Sequence, residues 1–226
     1  MKKVAIISDF DGTISRRDVG HHFFGTFIPD RERWLELLQQ WRLGVISSRE
    51  CLEGEMSLVR ADKEDLDTFA GNEGLDPYFK DFVDFCDRRG IDILITSDGL
   101  DYYIERLLMR FGLGYLEFNA NRLVIADGAL RGIEFPHFNA MDCTRCGNCK
   151  RSHLENLKRE GYFTVYVGNG YSDRCPAEHA DVVLAKGELL DHCRAQGIAH
   201  ILFENFRDVE RELTARFILH SGNISL

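Results

Sequence analysis

Asp9-Phe10-Asp11-Gly12-Thr13 sets two carboxylates two residues apart, directly after the apolar run Val4-Ala5-Ile6-Ile7. Three further groups repeat this placement: Ser97-Asp98-Gly99 after Ile91 to Thr96, Lys150 at the opening of a helical pattern, and Gly168-Asn169-Gly170-Tyr171-Ser172-Asp173 after Tyr162 to Val167. Two carboxylates held close repel each other unless a cation lies between them, and a purely oxygen donor set favours Mg²⁺. With a hydroxyl and an ammonium added, the set suits phosphoryl transfer. One Asp attacks phosphorus to give an aspartyl-phosphate, and the other acts as general acid and then base. Ser97, neighbouring backbone N–H groups and Lys150 hold the oxygens of the transferring group. Each piece alone has a plainer reading: a turn for Asp-x-Asp-Gly, a helix N-cap for Ser97, a solvated side chain for Lys150. Their shared position at strand ends favours the chemical one.

That position depends on the elements around them, because an open α/β sheet binds its ligands at the carboxyl ends of its strands. Short, continuous, β-branched runs predict buried parallel strands at Val4 to Ile7, Ile91 to Thr96, Tyr162 to Val167, Asp181 to Ala185 and Ala199 to Phe203. Amphipathic spacing predicts helices over Pro77 to Arg89, closed by Gly90, and over Tyr102 to Phe111. The alternation implies a doubly wound, parallel, Rossmann-like α/β sheet. One interval interrupts it. Residues 16–74 show only helix-like runs, near Arg31 to Leu43, Ser47 to Val59 and Lys63 to Ala70, with capping signals at Ser47 and Glu50 and at Asp62. The chain is therefore expected to divide into a core of residues 1–15 and 75–226 and an inserted helical cap of residues 16–74. Between Tyr115 and Cys149 only short strand-like pieces stand out, Arg122 to Ile125 and Leu130 to Ile133.

Composition narrows the partners. The chain has 226 residues and 28 Lys+Arg against 37 Asp+Glu, a formal net charge of −9, with no basic run. Nucleic acid is thereby disfavoured, since phosphate-backbone binding needs a basic stripe. No segment has the roughly 18 apolar residues of a membrane span. Met-Lys-Lys before a short apolar run does not fit a signal peptide, and seven Cys is an odd count for a disulfide framework. A reducing cytoplasm and a small-molecule phosphate ester are the expected setting and substrate.

In these four ordered motifs the sequence resembles the haloacid dehalogenase superfamily of phosphohydrolases, along essentially its full length. The resemblance implies Asp9 as nucleophile, Asp11 as acid/base, phosphate binding by Ser97, the Asp98 backbone and Lys150, and Mg²⁺ held by Asp9, the Asp11 carbonyl, Asn169 and Asp173. Residues 16–74 match the cap position of the phosphoserine-phosphatase-like branch, with Asp18 and His21 placed to select the leaving group; for His21-His22 a helix surface is the plainer reading. Cys143-x-x-Cys146-Gly147-Asn148-Cys149-Lys150 and Asp18 resemble the methionine-salvage phosphatases of that branch, which also contains phosphoserine, phosphocholine and phosphoethanolamine phosphatases. Two departures stand out. The fourth motif opens Gly168-Asn169 where Gly-Asp is usual, and Asp98 stands beside the phosphate position, where its carboxylate is expected to point away. Asn169 also admits a second reading, a phosphatase-like scaffold that only binds, although a binder needs no apposed Asp9 and Asp11. Cys143, Cys146 and Cys149 with His137 or His153 would satisfy a zinc site, but one tight run must then supply three ligands, so free thiols are the favoured reading. A dinucleotide site at Gly168-x-Gly170 is disfavoured by Asp173.

Overall fold

The first apolar run forms β1 (Lys2–Ser8), after which four helices precede the return to the sheet: α1 (Val19–Phe27), α2 (Arg31–Arg42), α3 (Ser48–Leu58) and α4 (Lys63–Asn72). Then follow α5 (Phe79–Arg89), β2 (Asp92–Leu100), α6 (Asp101–Arg110), β3 (Glu117–Ala126), β4 (Ala129–Glu134), α7 (Lys150–Arg159), β5 (Phe163–Gly168), α8 (Arg174–Ala177), β6 (Val182–Ala185), α9 (Gly187–Gln196), β7 (Ile201–Leu202) and α10 (Phe206–Arg216). This computed structural model describes residues 2–138, 140–141, 143–216, 218–220 and 223–225.

The strands lie in the order β4-β3-β2-β1-β5-β6-β7. All neighbours are parallel except the hairpin β3–β4. A last pair, β8 (Ile218–His220) and β9 (Asn223–Ser225), lies antiparallel beside the start of β1. Both faces of the sheet are covered, which is why its strands read as unbroken apolar runs. On one face Val4 and Ile6 join Phe79 and Phe82 of α5 and Phe206 of α10; on the other, Ile7 joins Leu154, Tyr166 and Leu189.

Register carries the motifs to one edge. Ser8 pairs with Ile95 on one side and Val167 on the other, so the next residue, Asp9, stands level with Thr96 and Gly168. Because β1 lies between β2 and β5, the chain crosses over in opposite directions on its two sides, opening the crevice in which such sheets bind ligands.

Four expectations shift. β2 does not stop at Thr96 but continues through Ser97-Asp98-Gly99 to Leu100, with a register shift against β3, where Leu100 pairs with Asn121. β3 begins at Glu117, well before Arg122, because Glu117, Asn119 and the buried Asn121 interrupt its apolar pattern. β7 keeps only two residues of Ala199 to Phe203. α1 was not foreseen; Asp18 caps it by accepting from the His21 amide. The capping boxes at Ser47/Glu50 and Asp62/Asp65 are present as reciprocal bonds. No helix among the described residues is long and apolar enough to cross a membrane.

Candidate active site

Lys150 is the centre of the site. It opens α7, is 3% exposed, and its Nζ donates to Asp9 Oδ1 at 2.6 Å and to Asp173 Oδ1 at 2.7 Å. Burial alone would lower its pKa, but Asp173 and Asp9 outweigh that and hold it charged. Asp9 is pushed well up by burial, then by Asp173, with Lys150 pulling it back and Asp11 raising it again. One ammonium thus serves two buried carboxylates, Asp9 and Asp173, with Asp11 near enough to act on Asp9. Among the described residues Asp9 Oδ2 accepts no hydrogen bond.

Asp173 has both oxygens occupied. Oδ1 takes Lys150 and the Tyr166 hydroxyl at 2.7 Å, and Oδ2 takes the amides of Asn169 and Gly170 at 2.9 and 2.8 Å. It is fully buried. Its carboxylate thus orders the loop and anchors Lys150. Gly168 makes this possible, since a Cβ there would stand 2.7 Å from Asp173 Oδ2.

Asp11 follows a sharp change of direction in which Gly12 takes φ +74°, in the left-handed region, and packs against Asn169. Its Oδ1 accepts from the Gly20 amide at 3.0 Å and its Oδ2 from the Ser97 hydroxyl at 2.8 Å. The Tyr103 hydroxyl reaches both oxygens, at 2.9 and 3.0 Å. Burial, with Asp18 adding to it, raises the Asp11 carboxyl to about 7 against the lowering effect of these bonds. A carboxyl at that value can give and take a proton near neutral pH. Gly99 is required beside it, because any Cβ would collide with the Tyr103 hydroxyl and the Asp11 carboxylate.

The other expected residues sort as follows. Ser97 is buried, and its Oγ donates to Asp11 and accepts from the Gly99 amide at 2.8 Å. Asp98 turns Oδ1 onto the Asn148 amide at 2.9 Å while still lining the cavity. Asn169 lines the cavity too, its Oδ1 accepting from Thr13 at 3.0 Å. Asp18 and His21 border the cavity from the start of α1, and the His21 ring packs on Trp34 at 4.9 Å. Above the carboxylates lies a cavity of about 160 Å³ whose far wall includes Phe24, Leu38, Trp41, Leu52 and Tyr171. Among the described residues lining it there is no Lys or Arg.

Three residues escaped sequence reasoning. Tyr103 reads only as a helix-face apolar residue; its nearness to the Ser97 motif was the available signal. Tyr166 is hidden inside a strand run. Asn148 donates from Nδ2 to the carbonyls of Ser97 and Asn119 at 2.8 and 2.9 Å and accepts at Oδ1 from His153 Nε2 at 2.8 Å. Burial and His137 lower His153 to about 4, so it is neutral and its Nε2 carries the proton. Among the described residues no three of His, Cys, Asp and Glu stand together as a metal site, and burial pushes the Cys146 thiol up to about 12. All seven cysteines are free.

Residues 6–178 match the haloacid dehalogenase-like hydrolase family. The chain belongs to that family. It is a hydrolase of the phosphatase kind. It is 30% identical over 215 residues, 94% of this chain and 96% of the relative, to a 2-hydroxy-3-keto-5-methylthiopentenyl-1-phosphate phosphatase of Brevibacillus brevis. It is 32% identical, over 94% of this chain and 50% of the relative, to a bifunctional MtnB/MtnX enzyme of Bacillus licheniformis. In fold it is similar to a substrate-bound phosphoserine phosphatase, with a TM-score of 0.72 and 21% identity over 94% of this chain and 99% of that one. The family match thus places it among these hydrolases, and the structural likeness shows a shared fold.

Proposed function

We propose that this hydrolase is a Mg²⁺-dependent phosphomonoesterase acting through an aspartyl-phosphate on 2-hydroxy-3-keto-5-methylthiopentenyl 1-phosphate, with residues 16–74 as the cap over its leaving-group cavity. The observation that carries it is the pairing of Asp9, pinned by Lys150, with Asp11 held at about 7 by burial.

The donor set fits a hard divalent cation: Asp9, the Asp11 carbonyl and Asn169 can each present an oxygen, and the Lys150 ammonium is divided between Asp9 and Asp173 while Asp11 adds to the crowding. Bound there, Mg²⁺ supplies charge neutralisation for Asp9 and for the incoming phosphate. Lys150 fixes Oδ1 of Asp9 and leaves Oδ2 to attack phosphorus. Asp11, oriented by Tyr103, Ser97 and the Gly20 amide, gives its proton to the departing oxygen. It then takes a proton from the water that opens the acyl phosphate. Presence of both Asp9 and Asp11 argues against a scaffold that merely binds.

For the substrate, the name of the Brevibacillus relative agrees with a cavity that sets apolar side chains such as Phe24, Leu38 and Leu52 beside carboxylates and, among the described residues lining it, has no Lys or Arg, which suits a leaving group that bears no anion. Phosphoserine finds no cation there for its carboxylate. A second reading, phosphoethanolamine or phosphocholine, is favoured by the acidic wall and the Trp41–Tyr171 pair at 5.1 Å. The seven free thiols agree with a reducing compartment such as the cytoplasm. A phosphometabolite panel assayed with and without Mg²⁺ tests the proposal. The methionine-salvage ester should have the highest kcat/KM, and magnesium-independent turnover would refute the mechanism.

A further inference from the structure

The cavity wall facing the reaction centre carries a carboxylate that the mechanism does not use. Glu55, on α3, is 4% exposed and lines the cavity with Asp18. Trp34 Nε1 donates to its Oε1 at 2.6 Å, and Cys51 lies one turn earlier on the same helix. Among the described residues no Lys, Arg or His pairs with it. Asp18 and Asp98 both act on it across the cavity. A buried carboxylate without a counter-charge is unfavourable, and nothing in the helix calls for one, since Gln, Met or Leu suits a turn of α3 equally well. Its effect therefore falls on whatever occupies the cavity.

We propose that Glu55, supported by Asp18, is the charge filter of the leaving-group cavity: it turns away phosphate esters whose leaving group bears a carboxylate and accepts those offering a hydroxyl or ammonium donor. The inference rests on the phosphatase reading above. A second anion a few Å from Glu55 in a half-enclosed cavity is repelled strongly enough to shift selectivity by about tenfold or more.

Three esters of nearly equal size differ in their end group: 2-hydroxyethyl phosphate, phosphoethanolamine and 2-phosphoglycolate. Their kcat/KM values are measured with Mg²⁺ for the wild type and for Glu55→Gln, which keeps the volume and the bond to Trp34. Ratios between esters do not depend on how much of a preparation is active. The wild type should favour the two donor-bearing esters over phosphoglycolate by about tenfold or more, and the variant should lose about tenfold of that preference. A larger fall on phosphoethanolamine than on the hydroxyl ester identifies the donor as ammonium, and the reverse identifies it as hydroxyl; either supports the filter. A wild type indifferent to the end group, or a ratio unchanged in the variant, overturns it while leaving the phosphatase reading in place. A wild type inactive on all three and on p-nitrophenyl phosphate removes that reading and this one together.

Discussion

The two walls of the cavity are built on opposite principles. At the sheet edge the polar atoms are almost all engaged: Asp173 accepts four bonds, Asp11 four, and Lys150 bridges two strands' ends. On the helical wall, Glu55 has an indole donor but, among the described residues, no cation, and its neighbours include Phe24, Leu38, Trp41 and Leu52. The difference follows from what each wall must do. Reacting groups gain from being fixed beforehand, because orientation then costs nothing during the reaction. A wall that chooses among leaving groups gains from an interaction only the right ligand completes.

The contrast is sharpest at Asp9. Asp9→Asn should lower kcat by on the order of a thousandfold or more, since it removes the nucleophile. The same change relieves one of the two buried carboxylates that share the Lys150 ammonium, so in EDTA the variant should melt no lower than the wild type. A clear drop in melting temperature would show that Asp9 is structural as well. Lys150→Met does the reverse. It leaves Asp9 and Asp173 buried without their cation, and urea unfolding should show a loss of about 3–5 kcal/mol. A loss under about 1 kcal/mol would mean that the bridge is no stronger than an exposed ion pair.

The same division governs what could be read from the sequence. The sheet edge was legible because Asp9, Ser97 and Asn169 each follow an apolar run that reads as a buried strand, and parallel register then brings Asp9 level with Thr96 and Gly168. What could not be read was partnership. Tyr103 has the spacing of a core residue, and only folding shows that its hydroxyl ends on Asp11. Asp173 matches the motif, yet its direction depends on the positions of the Asn169 and Gly170 amides. The helical wall was nearly silent. Glu55 lies in the charged run Glu53-Gly54-Glu55, which reads as a solvated face, and its burial is set by Trp34 from another helix.

Glu55 also makes the helical wall sensitive to pH. Burial, with Asp18 adding to it, raises its carboxyl to about 7 in the folded chain against 4.5 when unfolded. The folded state therefore binds the proton more tightly, and stability falls as pH rises from about 4.5 to about 7, then levels. The change is on the order of 2–3 kcal/mol. Glu55→Gln lacks this titration, so its stability relative to the wild type should improve between pH 5 and pH 8 by that amount in urea unfolding. A difference that stays constant with pH would show Glu55 ionised at little cost.

The smallest expected effect is the most informative about the sheet edge. Tyr103→Phe keeps the ring in its buried place and removes a single hydroxyl, leaving Asp11 its bonds from Ser97 and Gly20. A bond to the charged carboxylate favours ionisation, so its loss moves the Asp11 carboxyl further up and loosens its orientation. Both changes bear on proton delivery to the departing oxygen. An alkyl phosphate, whose alkoxide is a poor leaving group, needs that proton, whereas p-nitrophenolate leaves without it. The variant should thus lose roughly tenfold in kcat on an alkyl phosphate and no more than about threefold on p-nitrophenyl phosphate. Equal losses on both would reduce Tyr103 to packing and would place the control of Asp11 with Ser97 and the Gly20 amide alone.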